Sequence, residues 1–225
     1  MTMTRDQLTA QARDIADATD TQRWPDATVL AWAGIEMDRT WANILNANNA
    51  IRMNVLTVAE DASGQFLKSA LDTGTGDTMK RHYRILSISD GTQMFYRQVE
   101  YKDFPSIASP TILPYIWYEL GTSIQVLPAS SANVLTVMVN YRPPNAAQVA
   151  SGSSIIDLPD GFEMVVAYHT AAQLAMKGGI ETAFAQQYRA TGSDLETELL
   201  MDIRRAGTKP VIARAMDSPA DYGSF

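Results

Sequence analysis

The sequence contains no cysteine and only two histidines. The absence of cysteine excludes disulfides, thiolate catalysis and zinc or iron–sulfur clusters with cysteine ligands. Two histidines leave little for metal binding or for acid–base catalysis. The composition therefore predicts a protein that is not an enzyme and that needs no cofactor and no metal.

Long hydrophobic runs are missing as well. No segment approaches the roughly 18 consecutive apolar residues that indicate a membrane span. The first residues, Met1 to Gln7, lack the basic and apolar regions of a secretory signal. We therefore expect synthesis in the cytoplasm and no membrane partner. The net charge of −7 argues against electrostatic wrapping of nucleic acid, which requires clustered Lys and Arg side chains.

The strongest local signal is the segment Leu158 to Lys177. Pro159 and Asp160 open it, two glycines follow it, and most positions between are apolar or alanine. This pattern predicts a helix of about 18 residues that is buried in its domain or between subunits. Ala167, Ala171 and Ala175 line one side of this helix, where a neighbouring helix can approach closely. We expect these three alanines to contribute to inter-subunit packing.

Three further segments have helical periodicity. The first is Thr4 to Thr19, with Thr4 as the N-cap. The second runs from Trp24 to about Asn46, with Pro25 in its first turn. The third, Glu181 to Arg205, is interrupted at Gly192, where Ser193 and Glu196 have the spacing of a capping box. Because the apolar stripe keeps its phase across the interruption, we predict one bent helix.

Between these helices the hydrophobic period changes to that of β-strands. In the last strand, Leu135, Val137, Val139 and Tyr141 alternate with more polar positions. The pattern predicts an inserted antiparallel β unit. The predicted strands are Met53 to Val58, Tyr83 to Ser89, Met94 to Arg97, Tyr115 to Glu119, Ser123 to Leu127 and Val134 to Tyr141.

The predicted architecture is α+β: a bundle of about four helices with an inserted β unit and an extended C-terminal arm. Residues 1–50 and 143–206 form the helical domain, and residues 51–142 form the β domain. The arm, residues 207–225, contains two prolines and has no apolar period, so it cannot bury enough surface to order itself alone.

Few residues resemble a catalytic site. The pair Gly74 and Gly76 lacks the lysine of a phosphate-binding loop, so we interpret it as part of a flexible β-loop. His169 lies in the apolar helix and is interpreted as a core or interface histidine whose ring is satisfied by hydrogen bonds. His82 lies beside Lys80 and Arg81 and is interpreted as part of a solvated basic patch.

Three carboxylates crowd the start of the apolar helix: Asp157, Asp160 and Glu163. The helix dipole alone favours acidic residues there. A glycosidase pair would additionally need a cleft and a raised carboxyl pKa. We therefore interpret these residues as packing and capping groups.

Two other clusters have two possible interpretations. Aromatic residues of the β unit form either the core of a small sheet or a contact surface for a partner. The basic residues near the C-terminus match the charge of a helix end, or they form half of a complementary interface. The aromatic residues are Tyr96, Tyr101, Phe104, Tyr115, Trp117 and Tyr118, and the basic residues are Arg204, Arg205, Lys209 and Arg214.

The order of these elements resembles the head-to-tail connector adaptor (neck) proteins of tailed bacteriophages. Arg23 to Trp32 is similar to the start of their second helix, and Tyr83 to Gly91 and Ile124 to Pro128 are similar to their inserted strands. Leu158 to Asp160 before an alanine-rich helix, and Asp202 to Arg205 before an arm, are similar to their C-terminal half. The resemblance spans nearly the whole chain.

The resemblance implies a structural virion protein at the head–tail junction. Such adaptors form a homo-oligomeric ring, usually of twelve copies, under the portal protein. Their arms bind the portal, and the ring presents a platform to the tail or to the next neck protein. Double-stranded DNA passes through the lumen during genome ejection, without specific binding. The portal-binding residues implied for this chain are Arg204, Arg205, Lys209, Arg214, Tyr222 and Phe225.

Two alternatives stay open from the sequence. The first is another neck or tail protein, such as a stopper or a terminator. The second is a carbohydrate-binding or carbohydrate-acting protein that uses the aromatic β unit together with Asp157, Asp160 and Glu163.

Overall fold

The structure is a computed structural model. It describes residues 3–18, 20–48, 50–74, 80–90, 95–100, 115–129, 134–149, 151–177 and 182–207. These residues form four α-helices and a seven-stranded mixed sheet, so the predicted α+β class with about four helices is confirmed.

The first two helices lie where the sequence predicts them. Helix α1 spans Arg5–Ala16 and α2 spans Asp26–Ala47. Thr4 is the N-cap of α1: its hydroxyl accepts a hydrogen bond from the Gln7 backbone N–H at 3.3 Å, and the Gln7 side chain accepts one from the Thr4 N–H at 2.9 Å. This reciprocal capping box satisfies two N–H groups that the helix start would otherwise leave unpaired.

Helix α3 spans Phe162–Lys177, which is 16 residues rather than about 18. It begins later than predicted because Gly161 adopts a left-handed conformation with φ of 91°, which ends the preceding turn. The Gly161 N–H donates to the Glu163 carboxylate at 2.9 Å, and this carboxylate is almost fully buried. Burial of most of α3 is confirmed, because α3 packs against each of the other three helices and only its last two residues are exposed.

Helix α4 spans Thr182–Gly207 without interruption. The predicted capping box is wrong, because Glu196 is buried and its carboxylate accepts a hydrogen bond from the Asn43 side chain of α2 at 2.9 Å. Gly192 instead allows close helix packing. A Cβ atom at Gly192 would lie 3.1 Å from Cε1 of His169 and 3.2 Å from Cβ of Tyr168 on α3.

The seven strands follow the order β1-β7-β3-β4-β5-β6-β2 in the sheet. Strand β2 and the short 3-10 helix Lys68–Leu71 after it were not predicted. The strands are β1 Met53–Ala59, β2 Gln65–Leu67, β3 Arg81–Ser89, β4 Phe95–Gln98, β5 Ile116–Leu120, β6 Ser123–Leu127 and β7 Val134–Arg142.

The prediction of a purely antiparallel unit is wrong, because β4 and β5 pair in parallel. A parallel pair needs a connection of about a dozen residues or more, and the segment between Gln98 and Ile116 is long enough to provide one. The other five strand pairs are antiparallel. The sheet is therefore mixed.

One face of the sheet forms its hydrophobic core. The predicted alternation in β7 is confirmed, since Leu135, Val137, Val139 and Tyr141 are all buried. Of the predicted aromatic cluster, Tyr96 and Trp117 belong to this core, and Tyr115 packs edge-on against Tyr96 at 5.4 Å. Tyr118 is also buried. Tyr101 and Phe104 lie outside the described residues.

Polar contacts fix the sheet to the helices. Arg52, between α2 and β1, forms an ion pair with Asp157, and its guanidinium lies 5.0 Å from the centre of the Trp41 ring. The Trp41 indole N–H donates to the Asp157 carbonyl at 3.0 Å. The helices and the sheet each have a hydrophobic core of their own. The division into a helical domain of residues 1–50 and 143–206 and a β domain of residues 51–142 stays a prediction.

Candidate assembly surfaces

The helical bundle has two distinct ends. Helix α3 is antiparallel to α2, because Trp41 near the end of α2 contacts Asp157 just before α3, while Gln173 late in α3 donates to Glu36 at 3.2 Å. Helix α4 follows α3 after a short connection and runs back along α2. We call the end near the sheet the proximal end and the opposite one the distal end.

Two cavities open beside α3 towards the distal end: one of about 180 Å³ between α2 and α3, and one of about 240 Å³ between α3 and α4. Together they form a surface that runs from α2 across α3 to α4. We call it the α2/α4 groove, and define it by Ile35, Glu36 and Arg39 of α2, Gln173, Met176 and Lys177 of α3, and Ala185 and Arg189 of α4.

A cluster of buried polar side chains underlies this groove. Glu36, His169 and Glu196 belong to three different helices, and each is at least nine-tenths buried. The Nε2 atom of His169 lies 3.9 Å from Oε2 of Glu196, and Oε2 of Glu36 lies 3.6 Å from the guanidinium of Arg39. Three titratable groups thus meet where α2, α3 and α4 converge.

The surroundings of His169 differ from the prediction. Neither ring nitrogen has a hydrogen-bond partner among the described residues, so the expectation of a hydrogen-bonded histidine is wrong. The physical reason is that Gly192 brings α4 against the imidazole, while the nearest carboxylate atom lies beyond hydrogen-bond distance. Buried polar atoms without partners are costly, and they are rare in folded proteins.

Burial lowers the pKa of His169 below its usual value of 6.5. The carboxylates of Glu36 and Glu196 act in the opposite direction, while the charges of Arg39 and Arg189 reinforce the lowering. Because desolvation is the largest of these effects, the imidazole is neutral in the folded protein at neutral pH. It adds no positive charge to the groove.

The second histidine is also placed differently from the prediction. His82 does not belong to a solvated basic patch: its Nδ1 atom lies 2.7 Å from the Asp72 carboxylate, which also accepts a hydrogen bond from the His82 backbone N–H at 2.9 Å. The side chain is about one-quarter exposed. Gly74 is exposed, and Gly76 lies outside the described residues, so the predicted loop is not tested.

The carboxylates around the start of α3 have structural partners. Asp157 pairs with Arg52, and Glu163 is buried against its own helix start. The two cavities at the α2/α4 groove and the one beside α1 are lined by other residues. Within the described part of the chain, no group of His, Asp and Glu could hold a metal ion. No helix there has the length and the apolar character needed to cross a membrane.

The basic end of α4 lies at the proximal end of the bundle. Arg204 and Arg205 are exposed in its last turn, and Arg205 lies 3.4 Å from Asp202. Their cationic side chains suit the negative end of the helix dipole. The other predicted portal-binding residues lie outside the described residues: Lys209, Arg214, Tyr222 and Phe225.

The alanine face of α3 is closed within the chain. Ala167, Ala171 and Ala175 have no exposed surface, and Ala171 packs in a cluster with Ala12 and Ala16 of α1. Packing inside one chain accounts for the small side chains. A role of these residues between subunits stays a prediction.

Sequence reasoning missed the α2/α4 groove and the polar cluster below it. One signal was present: Glu36 lies in phase with Ala33, Met37 and Thr40 on the buried stripe of α2. A charged residue at a buried helix position indicates a partner or a site. The exposure of Ile35, at 63 %, had no signal in the sequence, because one apolar residue on a helix surface is common.

Comparison with known families gives one match. The model of the family described as SU10 adaptor protein matches residues 3–214. The match covers all four helices, the sheet and the first residues beyond α4. Arg204, Arg205, Lys209 and Arg214 lie within it, and Tyr222 and Phe225 lie beyond it. No curated protein matches the chain.

Proposed function

Because the chain belongs to the SU10 adaptor protein family, a family of phage head–tail adaptors, we propose that it is the ring-forming subunit that joins the portal to the tail or to the next neck component. Membership of the family makes it a structural component of the virion that associates with other head–tail proteins. The family match over residues 3–214 is the observation that carries the proposal.

The proposed ring is a homo-oligomer of twelve copies at the head–tail junction. Double-stranded DNA passes through its lumen during genome ejection. Each copy has a net charge of −7, so the ring as a whole is strongly acidic. Acidic side chains that face the lumen would repel the DNA backbone and prevent it from adhering.

The proposed portal contact is the arm, residues 207–225, together with the last turn of α4. Arg204 and Arg205 are exposed there, and Lys209 and Arg214 extend the same positive charge along the sequence. In the proposal these cations face acidic groups of the portal, and Tyr222 and Phe225 fill apolar pockets. Aromatic anchors of this kind commonly dominate the binding energy of an interface.

Removal of residues 208–225 tests this assignment. We expect a truncated protein that unfolds at the same temperature as the full chain, because the helical and sheet cores lie before residue 208. We also expect it to be lost from complexes with the portal protein of the same phage, as measured by co-purification. A truncated protein that still joined the portal complex would contradict the role of the arm.

A double charge reversal in the last turn of α4 tests the portal contact more narrowly. Arg204→Glu with Arg205→Glu should weaken portal binding, and the difference from the unchanged protein should shrink at high salt. Lys80→Glu with Arg97→Glu is the matched control, because both residues are exposed on the β unit and the change in charge is the same. Equal effects of the two pairs would show that net charge, and not this site, governs binding.

A further inference from the structure

The α2/α4 groove combines apolar surface with positive charge. Ile35 and Met176 are 63 % and 43 % exposed, respectively. Arg39, Lys177 and Arg189 border them, and all three are exposed, whereas Glu36 and Glu196 are buried below. The accessible charges described at this groove are therefore cationic, in a protein whose net charge is −7. Such a surface fits a partner that presents carboxylates.

The same chain carries a surface of that kind. Asp14, Asp17 and Asp20 are exposed at the end of α1 and in the turn that follows it. The Asp20 carboxylate accepts hydrogen bonds from the backbone N–H groups of Gln22 and Arg23, at 2.9 and 3.2 Å, which fix its position. We call these three aspartates the acidic corner.

The groove and helix α1 lie on opposite sides of α3. Gln173 and Met176 face the groove, as does the buried His169, whereas Ala171 and Leu174 pack in a cluster with residues of α1. At about 100° per residue, these two sets of side chains are centred roughly 160° apart around the helix. Helix α1, which carries the acidic corner at its end, therefore packs on the side of α3 away from the groove.

Both surfaces lie towards the distal end of the bundle. The turn after α1 leads into Trp24, whose ring packs against Trp32 of α2 at 5.9 Å. Trp32 also lines the groove cavity, and Lys177 lies 5.0 Å above its ring. A head-to-tail contact requires two unlike surfaces of one copy, and it closes a ring when the rotation between successive copies closes.

We propose that the α2/α4 groove of one copy binds the acidic corner of the next copy in the ring. This inference rests on the proposed function and identifies its subunit interface. Lys177, Arg189 and Arg39 face the carboxylates of the neighbour, and the neighbour covers Ile35 and Met176. The charges fix the register of the contact, and the covered apolar surface contributes affinity.

Charge exchange tests the contact in rings assembled on the portal protein. Lys177→Glu and Asp14→Lys should each weaken subunit association by about fivefold or more. The two substitutions in the same chain should recover most of that loss, because the pair is restored with its charges exchanged. Lys80→Glu, on the β unit, is the control for a change in charge outside the interface.

Chemical cross-linking supplies an independent measurement. Since the chain has no cysteine, Asp14→Cys with Lys177→Cys introduces the only two thiols. A flexible bis-maleimide should then link neighbouring copies into ladders up to the full ring. The pair Lys80→Cys with Lys177→Cys should give far fewer links.

The outcomes separate the two proposals. Rings that form on the portal, tolerate Lys177→Glu and Asp14→Lys, and give no ladder would overturn the groove contact but leave the ring proposal standing. If no ring forms with the portal protein, the proposed function fails, and the groove contact fails with it.

Discussion

Helix α3 has two flanks that are built in different ways. Towards α1 its side chains are small or apolar, and Ala171 and Leu174 are completely buried against alanines of the first helix. Towards α2 and α4 the same helix presents His169 and Gln173 to Glu36, a carboxylate from another part of the chain. One helix thus has an apolar flank and a polar flank.

The two flanks of α3 are suited to different roles. On the apolar flank, Ala171 and Leu174 carry no polar side-chain atom that needs a partner, so their tight packing adds to stability. On the polar flank, His169 and Glu36 each keep at least one buried atom without a hydrogen bond, and the surface above them opens into cavities. We infer that the apolar flank stabilises the subunit and that the polar flank is available for contacts with other proteins.

The largest expected effect comes from a cavity in the apolar flank. Leu174→Ala should lower the free energy of unfolding by about 2–5 kcal/mol, because it removes a fully buried side chain from a packed cluster. Urea denaturation measures the change. Leu67→Ala is the matched control, since Leu67 is 58 % exposed and its truncation should cost about 0.5 kcal/mol or less. Equal losses would contradict the proposed role of the flank.

A larger side chain in the same flank should lower the free energy of unfolding by a smaller amount. Ala171→Leu should destabilise the protein by about 1–3 kcal/mol, because α1 and α3 must separate to admit the larger side chain. Ala31→Leu makes the same change at an exposed position of α2 and should be nearly neutral. If Ala171→Leu were also neutral by thermal unfolding, the contact between the two helices would be looser than the structure indicates.

The elements that could be predicted from the sequence are those that depend on residues close together in the chain. The N-cap at Thr4 depends on a residue three positions away, and the alternation in β7 depends on adjacent positions. The parallel pairing of β4 with β5 had no local signal, because it depends on the path of the connection between them. Sheet topology is therefore where the prediction failed.

The polar flank escaped prediction for the same reason. Asn43 and Glu196 are 153 residues apart in the chain, and only the fold brings them into contact. The sequence Ser193 to Glu196 has capping-box spacing, yet the packing of α4 against α3 and α2 determines the role of Glu196. Gly192 was interpreted as a helix interruption, whereas it serves the close approach of the two helices at His169.

The smallest expected effect concerns His169 and depends on pH. Its pKa is lowered in the folded protein by burial, so the unfolded chain binds the proton more readily. The contribution of His169 to the free energy of unfolding should therefore be fully present above pH ~6.5, which is the pKa of histidine in the unfolded chain. It should decrease as the pH falls below that value. For one such group the slope approaches about 1.4 kcal/mol per pH unit. Urea denaturation at a series of pH values measures it.

Two variants test whether the pH dependence of stability comes from His169 on the polar flank. His169→Leu removes the titrating group together with both unpaired ring nitrogens, so the loss of stability between neutral and mildly acidic pH should become smaller. His82→Gln removes the other histidine, which is paired with Asp72 on the β unit, and should retain the contribution of His169. If His169→Leu showed the same pH dependence as the unchanged protein, the imidazole would not be the group that makes this flank sensitive to acid.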